Sequence, residues 1–204
     1  MVEAPGEYPA SLTVDYPDRL DRLTSFFRPI TVIPIAIILG LLHVPAEGER
    51  ISTPAIGFVV LPVVLMLLFR RKYPRWWYDW NVALAGFAAR VAAYLALLRD
   101  EYPSTDEEQA IHLYIPYPDA TTELNRWLPL VKWLLAIPHY VVLLFLEIGA
   151  LLAVIVAWFA ILFTGRYPRA LFDYVVGVMR YSLRVAAYAF LLTTDRYPPF
   201  SLNE

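Results

Sequence analysis

Tyr73-Pro-Arg-Trp-Trp-Tyr-Asp79, followed by Arg90-Val-Ala-Ala-Tyr-Leu-Ala-Leu-Leu98, decides how this chain reads. Tyr167-Pro-Arg-Ala-Leu-Phe-Asp173 and Arg184-Val-Ala-Ala-Tyr-Ala-Phe-Leu-Leu192 restate it 94 residues later. A long stretch that returns at fixed spacing marks a supersecondary unit written twice. The match continues upstream: Leu12, Val14 and Tyr16-Pro17-Asp18 correspond to Leu113, Ile115 and Tyr117-Pro118-Asp119, and Arg22 through Pro34 to Arg126 through Pro138. The shift is 101 residues at Tyr16, 104 at Pro34 and 94 at Tyr73, so length changes fall between Asp18 and Arg22 and between Pro34 and Tyr73. Loops accept such changes and packed elements do not.

The expected architecture is a mainly α integral membrane protein of two tandem repeats, each a short strand, a transmembrane helical hairpin and an amphipathic interfacial helix. Residues 1–10 form an N-terminal tail. Residues 11–103 are the first repeat, with its hairpin at about 22–70 and interfacial helix at about 76–98. An acidic linker, 104–110, carries Asp106-Glu107-Glu108, and 111–204 are the second repeat, with hairpin at about 126–164 and interfacial helix at about 171–192. In the first hairpin Val44 to Thr53 reads as an enlarged tip, where the other copy turns at Glu147-Ile148-Gly149.

Of the 204 residues 59% are hydrophobic, 15% aromatic and only 18% charged, well above the apolar share of a soluble domain, so lipid is expected to cover much of the chain. Cysteine is absent, which excludes disulfides, Cys-ligated zinc and thiolate chemistry. No basic tract or recognition module points to nucleic acid. Glu3, Glu7, Asp15 and Asp18 leave no apolar core for a cleavable signal peptide near the start.

Four apolar runs are candidates to cross a bilayer: Phe26–Val44, Pro54–Phe69, Leu128–Leu146 and Ala150–Thr164. Crossing takes about 20 residues, and the second and fourth runs are short for it. Trp127, Trp133 and Trp158 fall toward run ends, where an aromatic belt would hold them. Pro34, Pro62 and Pro138 are expected to bend the helices they interrupt. Both Tyr-Pro-Arg turns are basic, and the positive-inside rule places both in the cytoplasm, which requires an even number of spans per unit and leaves the third helix in the interface. Then 16 of the 17 Lys and Arg lie on the cytoplasmic side, Arg50 being the exception. Both termini would be cytoplasmic.

The third helix carries a narrow polar stripe. Asp173, Gly177, Arg180, Arg184 and Tyr188 recur at spacings of three and four, and Asp79, Ala83, Gly86, Arg90 and Tyr94 hold the same register. Such a stripe either faces the headgroups or packs against the cytoplasmic strands. The Tyr-Pro pairs, seven in all, read as helix stops at the water–lipid boundary. Arg71, Lys72, Arg75, Arg166, Arg169 and Arg180 are candidates for contacts to anionic headgroups, each near-surface cation adding roughly 1 kcal/mol. The repeat-equivalent polar positions Asp79, Arg90, Asp173 and Arg184 also have a structural reading, as helix-dipole partners and carbonyl donors. His43, His112 and His139 show no ligand spacing, and the position equivalent to His139 is Ile35, so no metal or other cofactor is expected. No phosphate loop, nucleophile elbow or paired carboxylate is present, and no catalytic residue is assigned.

The segment from Ile161 to Leu202, with Gly165-Arg-Tyr-Pro-Arg-Ala-Leu-Phe-Asp173 at its head and Asp195-Arg-Tyr-Pro-Pro-Phe-Ser-Leu202 at its end, closely resembles the bacterial domain of unknown function 4389 family. Val131-Lys-Trp-Leu-Leu-Ala-Ile-Pro-His139 matches it as well. The first copy departs from the pattern: Gly165-Arg166 is replaced by Arg71-Lys72 and the Pro-Pro-Phe-Ser-Leu ending by Pro103-Ser104. The resemblance implies a bacterial cytoplasmic membrane protein and supplies no activity or site. The expected function is a non-catalytic accessory or scaffold subunit with the lipid bilayer and a membrane protein as partners. Anionic-phospholipid binding or lipid handling is the alternative, and a membrane enzyme the third reading.

Overall fold

The structure, a computed structural model, describes residues 8–35, 37, 55–105, 107 and 109–203. In chain order come β1 (Ser11–Val14), α1 (Arg22–Thr31), α2 (Ala55–Arg70), α3 (Arg75–Leu95), β2 (Ile111–Tyr114), a 3₁₀ turn (Leu128–Leu130), α4 (Lys132–Leu135), α5 (Ile137–Thr164) and α6 (Arg169–Ala189). The expected tip at Val44–Thr53 lies outside the described residues, as do Asp106 and Glu108.

Local chemistry accounts for the boundaries. Asp21 caps α1 by accepting from the backbone N–H groups of Leu23 and Thr24 at 2.7 and 3.1 Å. Pro74 and Pro168 are extended, with ψ of 125° at each, and sit immediately before α3 and α6. The Tyr-Pro pairs at Tyr73 and Tyr167 thus stand at helix starts, because proline excludes its predecessor from the helix while its own fixed φ suits the cap. α5 stops at Gly165, whose φ of 71° turns the chain in the left-handed region. Arg71 makes the same turn after α2 with φ of 49°, a conformation that costs a side-chain-bearing residue about 1 kcal/mol or more.

β1 and β2 pair with each other, antiparallel, with Leu12 opposite Leu113. Each strand packs on the helix from the other half of the chain: β1 on α6 and β2 on α3. The first helical elements cross over too. α1 packs on α5, with Trp158 Nε1 donating to Ser25 O at 3.1 Å, and the 3₁₀ turn packs on α2, with Arg126 Nη2 donating to Leu68 O at 2.7 Å. Three layers result. The small sheet lies on α3 and α6, and these lie on α1, α2 and α5, whose outward sides carry exposed apolar residues such as Phe26, Ile30, Leu65, Phe69, Phe145 and Leu152.

Three expectations are corrected. The predicted hairpin over 126–164 is not formed: residues 137–164 are one continuous helix of 28 residues, and Glu147-Ile148-Gly149 lies within it. At about 1.5 Å per residue it is about 42 Å long. Gly149 serves a close approach instead of a turn, since a Cβ there would collide with the Tyr174 hydroxyl, which donates to Leu146 O at 3.1 Å. Pro138 falls in the first turn of α5, where its missing N–H is no loss, so it bends nothing. The third helices run from Arg75 to Leu95 and from Arg169 to Ala189, ending earlier than 98 and 192 because Leu97 and Leu192 adopt φ of 62° and 58°.

Candidate functional site

The polar residues singled out from the sequence gather at two corners and one seam. The first corner is the turn between α2 and α3. Tyr73 is buried there, Tyr117 donates its hydroxyl proton to Tyr73 O, and the Arg75 guanidinium lies 4.6 Å over the Tyr117 ring. The second corner, between α5 and α6, is built alike: Tyr167 is buried, Tyr16 donates to Tyr167 O, and Arg169 lies 4.6 Å over the Tyr16 ring. In both, the tyrosine that receives the arginine comes from just past the strand of the other half. Cation–π contact and a carbonyl acceptor together fix that tyrosine's ring and its hydroxyl.

Asp79 and Asp173 lie one turn into their helices and bridge Arg75 and Arg169 at 3.4 and 3.0 Å. These exposed i,i+4 pairs contribute only about 0.3–0.5 kcal/mol each. Arg71 and Lys72 at one corner, and Arg166 at the other, are exposed beside Phe69 and Phe163, themselves 74% and 78% exposed. Cations thus border apolar surface, as at a headgroup boundary. Burial pushes the Tyr73 and Tyr167 hydroxyls well above the usual tyrosine range.

Arg180, Arg184 and Arg90 lie apart from the corners, along the seam where α6 and α3 meet the strands and the segments that follow them. Arg180 donates through Nε to Leu12 O and through Nη1 to Leu202 O, each at 3.1 Å. Arg184, 3% exposed, donates to Ser201 O and Asn203 O at 3.3 and 2.7 Å. Arg90 donates to Ser104 O and Thr105 O at 2.7 and 3.3 Å, which holds the start of the expected linker against α3. Of the two placements open to the polar stripe, the structure has the one packed on the strands.

Sequence reasoning missed two further buried cations. Arg28, 2% exposed, pairs with Asp100 and donates to Tyr94 O and Arg99 O at 3.1 and 2.8 Å. Lys132, fully buried, lies 2.7 Å from Asp195 Oδ1, donates to Thr194 O at 2.7 Å, and lies 5.1 Å over the Tyr188 ring. The signal was present: a shift of 104 lays Arg28 on Lys132, each inside an apolar run.

His139 Nδ1 meets the Tyr181 hydroxyl at 2.5 Å, and the ring stacks on Phe200 at 4.2 Å. Ile35 and Phe87 occupy the matching positions in the first half, where Ile35 is buried in an apolar cluster. Among the described residues no group of three or more His, Asp or Glu side chains is placed to hold a metal ion. Trp127 and Trp133 are exposed, at 61% and 57%, whereas Trp158 turns inward to Ser25.

Residues 127–201 match the family model described as a domain of unknown function (DUF4389). That stretch runs from the 3₁₀ turn through α6 to the C-terminal segment, and it is matched once. Neither a curated protein nor a solved structure matches the chain. By length and composition α5 is the one helix among the described residues able to cross a membrane.

Proposed function

We propose that both halves of this chain are copies of the unit matched at 127–201, interlocked by exchange of their strands and first helices, and that the whole is a non-catalytic accessory or scaffold subunit seated on a bacterial cytoplasmic membrane. α1, α2 and α5 lie flat in the cytoplasmic leaflet. α3 and α6 rest on them, and the β1–β2 sheet faces the cytoplasm.

One observation carries this reading: α6 is held along its length between α5 and β1. Tyr174 and Tyr181 of α6 meet Leu146 and His139 of α5, while Phe172 and Arg180 meet Tyr16 and Leu12 around β1. Were α5 to stand upright across the bilayer, α6 and the sheet would enter it as well. The exposed His112–Asp15 pair, 3.5 Å apart, would then meet lipid without water to satisfy it. Laid flat, the same apolar side of α5 immerses and the sheet stays wet. In this reading in-plane helices take the place of the crossing hairpins expected from the sequence.

Support for a scaffold role comes from the wet sheet, whose exposed face carries His112 and Tyr114 as a surface for a protein partner. Lipid binding is the second reading, favoured by Arg71, Lys72 and Arg166 beside Phe69 and Phe163. Isolation in mild detergent at native expression, followed by intact-complex mass spectrometry, tests the choice. One protein partner at fixed stoichiometry is the expected result. A lone chain retaining a single anionic phospholipid species would contradict the scaffold role in favour of lipid handling.

A further inference from the structure

A cavity of about 340 Å³ opens between α3 and β2, lined by Gly86, Arg90, Glu107, Gln109, His112 and Leu113. Its counterpart between α6 and β1 holds a side chain. Gly86 and Arg180 stand 94 residues apart at the same register of the two helices, and Arg180 reaches the Leu12 carbonyl. Leu113 is the residue paired with Leu12 across the sheet. The Asp15 N–H donates to Ala110 O at 3.0 Å, which makes that pair a hydrogen-bonded one. By alternation the Leu12–Leu113 pair is not, and both carbonyls turn outward, Leu12's toward Arg180 and Leu113's toward the Gly86 side. A Cβ at Gly86 would be accommodated, meeting only Arg90 Nη1 in ordinary van der Waals contact at 3.8 Å.

We propose that this cavity binds an alkylguanidinium group, the chemistry of the arginine side chain that Gly86 lacks. The Leu113 carbonyl accepts from it as Leu12 accepts from Arg180, and the Glu107 carboxylate at the rim supplies the counter-charge. Arg90 does not oppose a second cation. In the other half Arg180 and Arg184 coexist by dividing neighbouring carbonyls, Leu12 and Leu202 going to one and Ser201 and Asn203 to the other. Arg90 is likewise turned to Ser104 and Thr105. An anion would meet Arg90 Nη1 on the Gly86 side, but Arg90 is already engaged by Ser104 O and Thr105 O, and the Glu107 carboxylate and the outward carbonyl would repel it. The site rests on the proposed correspondence of α3 with α6 and is independent of how the chain sits on a membrane.

The test is calorimetric titration of the full chain in lipid nanodiscs with ethylguanidinium and with the tripeptide Gly-Arg-Gly, using ethylurea as the uncharged control. Saturable binding on the order of millimolar is expected for the cation and not for ethylurea. Glu107→Gln, an exposed substitution, should weaken it by about tenfold. Gly86→Arg should fill the cavity and abolish binding while unfolding at or above the wild-type temperature. Binding of ethylguanidinium alone identifies a small free ligand, and equal binding of the tripeptide identifies an arginine on a protein partner. No saturable binding of either cation, or binding that persists in a folded Gly86→Arg chain, overturns the proposal.

Discussion

Asp195→Ala is expected to destabilise the fold by about 3–5 kcal/mol, the cost of leaving a buried charge without its partner. Lys132 Nζ is fully buried, with Asp195, the Thr194 carbonyl and the Tyr188 ring as its neighbours. Burial pulls the Lys132 ammonium below the usual lysine range, and the hydrogen bond and charge of Asp195 hold it up. Without Asp195 only the downward pull remains. Between the folded pKa and the unfolded value of 10.5 the unfolded chain holds more protons, so stability rises with pH across that window. The variant's deficit should therefore shrink as pH climbs toward the lysine range. Asp100→Ala, the matching change beside Arg28, should be comparably damaging without alkaline recovery, because arginine does not deprotonate. Denaturant unfolding followed by circular dichroism across pH distinguishes the two. Equal pH profiles, or losses under about 1 kcal/mol, would contradict this account of the buried pairs.

Much of the architecture was legible because its signals are local. The Tyr-Pro-Arg turn with Asp four residues beyond arginine specifies a helix start anywhere, and α3 and α6 begin at Arg75 and Arg169 within two residues of expectation. The strands around Leu12 and Leu113 were legible as segments, but their pairing was not, since either could have met a neighbour. Glu147-Ile148-Gly149 misled because glycine beside a charged residue reads as a turn, whereas its reason is the Tyr174 hydroxyl, which is remote in sequence. The exchange that sends Tyr16 to Tyr167 and Tyr117 to Tyr73 leaves no local trace. Tyrosine, proline and aspartate at the strand ends have the same spacing whether they serve their own half or the other. The six candidate cations divide for a similar reason: five flank turns that stay at the surface, and Arg180 is turned inward by the strand laid across it.

The double substitution Phe145→Asp with Leu152→Asp is the second large effect expected. Both side chains point outward from α5, at 68% and 58% exposure, seven residues and nearly two turns apart. Outward substitutions leave folding within about 0.5 kcal/mol. Immersing a large apolar side chain is worth about 1.5–3 kcal/mol, so losing two should weaken vesicle partitioning by about two to four orders of magnitude. Flotation with liposomes measures it, and His112→Asp with Tyr114→Asp, on the opposite sheet face, should leave partitioning unchanged. Equal losses from both pairs would deny that one face alone meets lipid.

Whether α5 lies flat decides most of what is proposed for this chain. Spin labels at Val141, Ile148 and Ile155 share one side of the helix over about 21 Å of its length, and power saturation of their spectra in liposomes reports the depth of each. Three matching depths within the outer part of one leaflet are expected. Depths that descend through the bilayer centre from one label to the next would contradict the in-plane placement and return α5 to a crossing helix.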